Sequence, residues 1–421
     1  MFLMSLLIVA SYVVLIGLII FLAWKIISDR QGNYFEVRDN ILAPEELQKY
    51  AIEMARKHPV GKSARSLHWL TRRLHDNYSI ISGVYKALNN DIKESFPTAP
   101  AAEWLLDNFY IIEEQVRLIR KNLARGHCSR LPVLKKGYLK GYPRVYAIAL
   151  ELVAHSAHSN GRIDEKMLVD FINSYQSQVL LSMGELWALP LMLRIALVDS
   201  IRNVCERIDF SRQEWHRADK IEAQIKINES DTQRISEILN TEIGRNKEVS
   251  SSFVEYLLRK LRKHGNCLST VTALLDKRLH EANTSTEAVI GLEHQMQAEM
   301  LVLIGNSITG LRLISDLDWT EIFESLSKVE KILRTDPCGI YTQMDFESRD
   351  HYRHEVEKLA RAFRISEIIV AEKAVECAAK DMERSPQNHV GYYLVGKGRK
   401  ILLNALSNTT RKRWILSIAA V

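Results

Sequence analysis

Cysteine is scarce and scattered in this 421-residue chain. Its five cysteines are Cys128, Cys205, Cys267, Cys338 and Cys377, and no two form a Cys-x-x-Cys pair. An odd count at wide spacing argues against a disulfide framework or a zinc site, and suits reduced thiols in a cytosolic compartment. Glycine and proline are few, 18 and 9, which excludes a collagen-like or low-complexity chain. No strong charge of one sign is present either. Fifty-seven Lys+Arg against 51 Asp+Glu leave +6, too mild over this length to mark a nucleic-acid binder. A Gly-x-Ser-x-Gly elbow and a Rossmann fingerprint are also missing. What the chain does have is 47% hydrophobic residues, enough for sizeable cores in two or three domains.

Charge is absent from one stretch in particular. Met1 to Trp24 carries no charged side chain. As a helix it would reach roughly 36 Å, more than a hydrocarbon core. A secretory signal has a basic start and a shorter apolar run, so this reads as an uncleaved anchor over 1–27. Lys25, Arg30 and Arg38 follow it and no Lys or Arg precedes it, which puts the amino terminus outside and the bulk in the cytoplasm. At the other end Arg411-Lys412-Arg413 leads into Trp414–Val421. A basic cluster, an interfacial Trp and an apolar run make 411–421 read as the basic flank and start of a second, truncated span.

Between these ends the fold class expected is all-α, an irregular bundle or solenoid-like stack. Leu105, Phe109, Ile112, Val116 and Ile119 step by four and three and make one apolar face over Glu103–Arg120, with Thr98 and Pro100 as start signals. Similar spacing predicts helices at Pro44–Lys57, Ser66–Glu94, Val145–His155, Glu165–Leu181, Glu185–Asp209, Arg212–Glu242, Ser252–Lys263, Ser269–Glu281, Thr286–Ser307, Trp319–Arg334, Asp350–Met382 and Gln387–Ser407. Breaks fall at Gly61, Pro132–Pro143, Gly161, Gly265 and Asp336–Gly339. The expected units are 40–130, 131–210 and 249–410, with 211–248 as a charged, solvent-exposed arm or hinge.

No catalytic, cofactor-binding or metal-ligating residue is assigned. Asp316-Leu-Asp318 has the acidic spacing that sugar-nucleotide transferases use for a divalent cation. No apolar strand precedes it, and Asp318 with Glu321 reads better as a helix N-cap. His155 and His158 precede Asn160–Glu165, where a third zinc ligand is missing and Asp164 reads as a cap. His351 and His354 lack the metalloprotease pattern, since Glu355 follows the second His; an exposed helix face is expected. Gly391–Lys400 is glycine-rich and basic without phosphate-loop spacing, so a structural turn comes before a phosphate contact. Arg259–His264 reads as a basic helix end, with an anionic lipid surface as the weaker option.

Five blocks, in order, resemble the amino-terminal region of the bacterial cyclic β-1,2-glucan synthases. They are Ala102–Phe109 continuing to Gln115; Gly141–Tyr146 running to Ser156; Gly184–Pro190 with Leu191–Arg194; Trp319–Ser327 with Asp336-Pro337, Tyr341, Met344–Phe346, Arg349-Asp350, Tyr352-Arg353 and Glu357–Arg361; and His389–Leu394. The resemblance runs from about residue 66 to 405. It implies a large inner-membrane protein whose downstream transferase uses UDP-glucose and a divalent cation to extend a protein-attached glucan, with a phosphorylase-like module beyond. None of the family's catalytic residues can be carried onto this chain. The resemblance therefore implies a membrane-anchored, non-catalytic helical region that positions the transferase module, with the lipid bilayer and that module as partners. The alternatives are a glucan-binding or tyrosine glucan-acceptor module, or a freestanding helical interaction protein. Trp104, Trp187 and Trp319 are expected as core aromatics.

Overall fold

A computed structural model describes residues 43–61, 66–125, 127–137, 139–158, 164–228, 231–245, 249–262, 265–281, 283–380 and 386–419. The expected anchor over 1–27 lies outside them. Among the described residues the protein is helical almost throughout, as periodicity predicts.

Sixteen α-helices follow in order: α1 Pro44–Lys57, α2 Ser66–Lys93, α3 Pro100–Ala124, α4 Arg144–His158, α5 Glu165–Gln176, α6 Met183–Ile227, α7 Thr232–Arg245, α8 Ser251–Leu261, α9 Gly265–Glu281, α10 Thr286–Asp316, α11 Trp319–Leu326, α12 Lys328–Leu333, α13 Phe346–Phe363, α14 Glu367–Lys380, α15 Val390–Leu394 and α16 Arg399–Ala419. The connector Pro132–Pro143 is non-helical as expected. It adds a small antiparallel ladder, β1 Val60–Gly61 on β2 Val133–Leu134, with Val60 opposite Leu134.

Two compact units are present, and each is built from separated stretches, whereas the sequence reading cuts the chain into consecutive segments. One takes in 59–163 and 191–316; the other takes in 44–58, 164–190 and 317–421. In the first, α3 packs on α2 and α10, and α8 and α9 pack on each other. Trp215, Ala218, Ile221, Ile225, Ile235 and Leu239 are all buried there with Phe253, Tyr256 and Leu257. The described part of the stretch expected as a charged arm or hinge thus carries one buried face. Its sparse apolar residues fall on one face, and that face closes a core. Trp215 stacks on Tyr256 with centroids 5.0 Å apart, a contact worth about 0.5–1.5 kcal/mol beyond its area.

Helix α10 is long and apolar enough to cross a membrane, by length and composition. It packs on α3, α4 and α8 and buries Glu293, whose carboxylate accepts from Ser251 Oγ at 2.7 Å and Ser252 Oγ at 2.8 Å. Those contacts place one face of it in the core of this unit.

In the second unit α1 packs on α5, α5 on α11, and α14 on α12, α13, α15 and α16. Three expected helices are divided here for local reasons. Ser327 ends α11 and caps α12, its Oγ accepting from Glu330 N at 3.2 Å. Arg364 turns the chain left-handed (φ 55°) after α13. Between α15 and α16 a Cβ at Gly396 would sit 2.8 Å from the Tyr392 carbonyl oxygen, so only glycine fits that turn. The reverse error occurs at Asp209–Arg212, where the structure runs straight on as α6. Ile208 and Ser211 are buried there, and Ser211 Oγ meets Ser252 Oγ at 3.1 Å, so tertiary packing favours continuing the helix.

Candidate functional site

The densest polar cluster in the second unit is built on α11, α12, α13 and the turn that follows α12. Glu330, on α12, is fully buried, and Arg353, on α13, is 1% exposed. Arg353 Nη1 donates to Glu330 Oε2 at 2.7 Å and to Glu324 Oε1 at 3.3 Å, and Nη2 donates to Asp350 Oδ1 at 3.2 Å. Tyr341 Oη donates to Glu330 Oε2 at 2.6 Å, and Arg334 Nε to Glu330 Oε1 at 2.9 Å. Arg349 holds Glu324 Oε1 at 2.8 Å and the Met344 carbonyl at 2.6 Å.

Three carboxylates (Glu324, Glu330, Asp350) thus meet three guanidiniums (Arg334, Arg349, Arg353), and the cluster balances. Burial alone would raise the Glu330 carboxyl. The hydrogen bonds from Tyr341, Arg353 and Arg334 outweigh it and hold Glu330 below the usual carboxylate range. Burial, reinforced by the Glu330 charge, pushes the Tyr341 phenol well up. The guanidinium of Arg353 also lies over Phe346 at 4.7 Å and Phe323 at 5.2 Å. Trp187 stacks on Phe323, centroids 4.1 Å apart.

Beside this network Asp336, Cys338 and His389 converge. Asp336 opens a turn closed by Gly339 N on the Asp336 carbonyl at 3.0 Å, with Pro337 second, an arrangement proline favours. Asp336 Oδ2 accepts from His389 Nδ1 at 2.7 Å, Cys338 Sγ at 3.0 Å and Tyr341 N at 3.3 Å, and Oδ1 accepts from Val390 N at 2.9 Å. Burial opposes ionisation of Asp336, but the donors His389, Cys338 and Val390 N together keep it below its ordinary value. Burial, then the Asp336 hydrogen bond, pushes the Cys338 thiol up. Gly391 lies against this corner. A Cβ there would come within 2.2 Å of Tyr352 Oη, so glycine lets the chain pass close to that side chain.

The first unit has two smaller cages. Asp199 is held by Arg73 Nε at 3.0 Å and also by Asn77 and Tyr146. Asp91 is held by Arg212 Nε at 2.5 Å and by His216 at 3.0 Å.

The residues singled out from sequence do not assemble into one site. Asp318 caps α11, accepting from Thr320 N at 2.9 Å and Glu321 N at 3.2 Å, while Asp316 ends α10 and is exposed. Asp164 caps α5 through Met167 N at 2.6 Å. His155 and His158 end α4, and 159–163 lie outside the described residues. His351 and His354 are exposed, His354 beside Asp350 at 3.3 Å, and Glu355 pairs with Lys358 at 2.6 Å and Arg399 at 2.7 Å. Gly391–Lys400 forms the α15–α16 turn. In the basic end of α8, Arg259 lies over Tyr256 at 5.1 Å and Lys260 pairs with Asp219 at 2.8 Å; Lys263 and His264 lie outside the described residues.

The expected core tryptophans need correction. Trp104 is 42% exposed and Trp187, though stacked on Phe323, 36%, and Trp319 is intermediate. Among the described residues the buried indole is that of Trp215. Sequence reasoning also passed over the cluster around Glu330 and Asp336. Its members lie on separate elements, and the available signal was the run of Arg, Asp, Glu and Tyr between 324 and 357.

No protein-family model matches the chain. The cyclic beta-(1,2)-glucan synthase NdvB of Rhizobium meliloti (strain 1021) is 32% identical over 337 residues, 78% of this chain and 12% of that protein. The chain is related to the cyclic β-1,2-glucan synthases. It spans only about an eighth of NdvB.

Proposed function

We propose that this chain is a membrane-anchored, non-catalytic helical region of a cyclic β-1,2-glucan synthase, one that packs beside the transferase module and positions it at the inner face of the bacterial cytoplasmic membrane. UDP-glucose and a divalent cation belong, in this reading, to the transferase module and not to this region. The observation that carries the proposal is the relation to NdvB over 337 residues.

Two further observations support it. The acids and bases of the Glu330 network are spent on one another, as in a device that fixes helices and unlike a site that keeps a group poised for substrate. The uncharged stretch Met1–Trp24 supplies a membrane tether long enough to span.

The test is a chimera. NdvB carrying this chain in place of its matched segment should still make cyclic glucan in membranes, whereas NdvB lacking the segment should not. Full synthesis by the deleted form would remove the positioning role. A second reading, glucan binding, draws on Trp104 and on Tyr110, which is 62% exposed. It predicts heat on titrating β-1,2-glucan oligomers into the purified chain, lost in Trp104→Ala.

A further inference from the structure

The corner where Asp336, Cys338 and His389 meet has a use that the ion-pair network does not need. Its three donor atoms are a thiol sulfur, a carboxylate oxygen and an imidazole nitrogen, all within 4.8 Å of one another. That set is borderline-soft and of mixed charge, which suits Zn²⁺ better than Mg²⁺ or Ca²⁺.

We propose that Asp336 Oδ2, Cys338 Sγ and His389 Nδ1 bind one zinc ion, which ties the turn after α12 to the start of α15. In a tetrahedral zinc site neighbouring donors stand about 3.3–3.6 Å apart. The distances here, 2.7 Å from His389 Nδ1 and 3.0 Å from Cys338 Sγ to Asp336 Oδ2, are those of proton-bridged partners. Replacing the bridging protons by an ion opens each separation by roughly half an ångström, within side-chain reach.

The outer contacts are in place as well. Asp336 Oδ1 is fixed by Val390 N at 2.9 Å, and His389 Nε2 meets Tyr352 Oη at 3.3 Å. Ligating histidines commonly have their second nitrogen held in this way. On binding, the Cys338 Sγ–H bond breaks, a metal–sulfur bond forms and the proton leaves to solvent. The neutral imidazole carries its proton on Nε2 instead of Nδ1, and Tyr352 Oη accepts it. Cysteine spacing gave no hint of this site, because its one thiol is joined by ligands from a turn and from a helix start some fifty residues on.

The experiment uses the full chain in detergent, stripped with a chelator and titrated with Co²⁺. Binding of one Co²⁺ per chain with a thiolate-to-cobalt charge-transfer band, bleached by Zn²⁺, is expected. Cys338→Ser should abolish the band, and His389→Asn should weaken cobalt binding at least tenfold. Absence of the band in the unaltered chain at saturating Co²⁺ overturns the proposal, as does a band that survives Cys338→Ser. Should Cys338→Ser not fold, His389→Asn decides: unchanged affinity overturns the site. None of these readouts depends on glucan synthesis.

Discussion

Arg353 and Glu330 meet at 2.7 Å with both side chains out of water. Tyr341 and Arg334 also bind Glu330, and Glu324 and Asp350 also bind Arg353. Glu330→Gln leaves a buried guanidinium without its main counter-charge, and should lower unfolding stability by about 3–5 kcal/mol. A double change of Glu330 and Arg353 to Met should cost clearly less, because it removes both desolvated charges. Denaturant unfolding of the two variants beside the unaltered chain checks this. Equal losses in the single and double variants would deny that the pair acts as a unit.

Glu367 gives a pH dependence of known sign. It begins α14, and its Oε2 accepts from Met183 N at 2.9 Å. Burial, with the neighbouring charges of Glu357 and Glu185, pushes its carboxyl up to about 7 against the hydrogen bond from Met183 N. A raised carboxyl pKa means that the folded state holds the proton more tightly. Its contribution is therefore full below the unfolded value, about 4.3, and is lost as pH rises through 7. The chain should lose up to roughly 3 kcal/mol of stability from this group between those limits. Glu367→Gln should flatten that slope, as read by thermal melts from pH 4.5 to 8. An unchanged slope would refute the assignment.

Asp318 and Asp164 are helix caps by geometry. Substituting either by Ala should cost about 1 kcal/mol, and by Asn only a few tenths. Added Mg²⁺ should leave the melting temperature of the unaltered chain and of Asp318→Asn equally unmoved. A magnesium-dependent rise that vanishes in Asp318→Asn would restore the cation-binding reading of Asp316-Leu-Asp318.

Much of the helical fold was legible because amphipathic periodicity is a local signal. Pro44–Lys57 is found as expected, and Asp318 and Asp164 cap where their neighbours say they should. What was not legible depends on contacts distant in sequence. Ser211 meets Ser252 across 41 positions, so nothing near Asp209 announces that α6 runs on. Trp215 and Trp104 look alike in sequence, yet one is enclosed and the other left at the surface by helices far along the chain. The pairing of Asp336 with His389, 53 residues apart, has the same cause. Both residues lie in blocks that resemble the family, and only the fold turns them into a cluster.

The proposed anchor makes its own prediction. Met1–Trp24 should keep the chain in the membrane pellet after an alkaline carbonate wash, and removal of 1–27 should release it. Release of the intact chain by the wash would argue against a spanning tether.

The central claim is that this region holds transfer machinery without performing transfer. Its most direct test is incubation of membranes containing this chain alone with labelled UDP-glucose and Mg²⁺, beside membranes containing NdvB. The account predicts label in β-1,2-glucan for NdvB and background counts for this chain. Glucan made by this chain alone would contradict it.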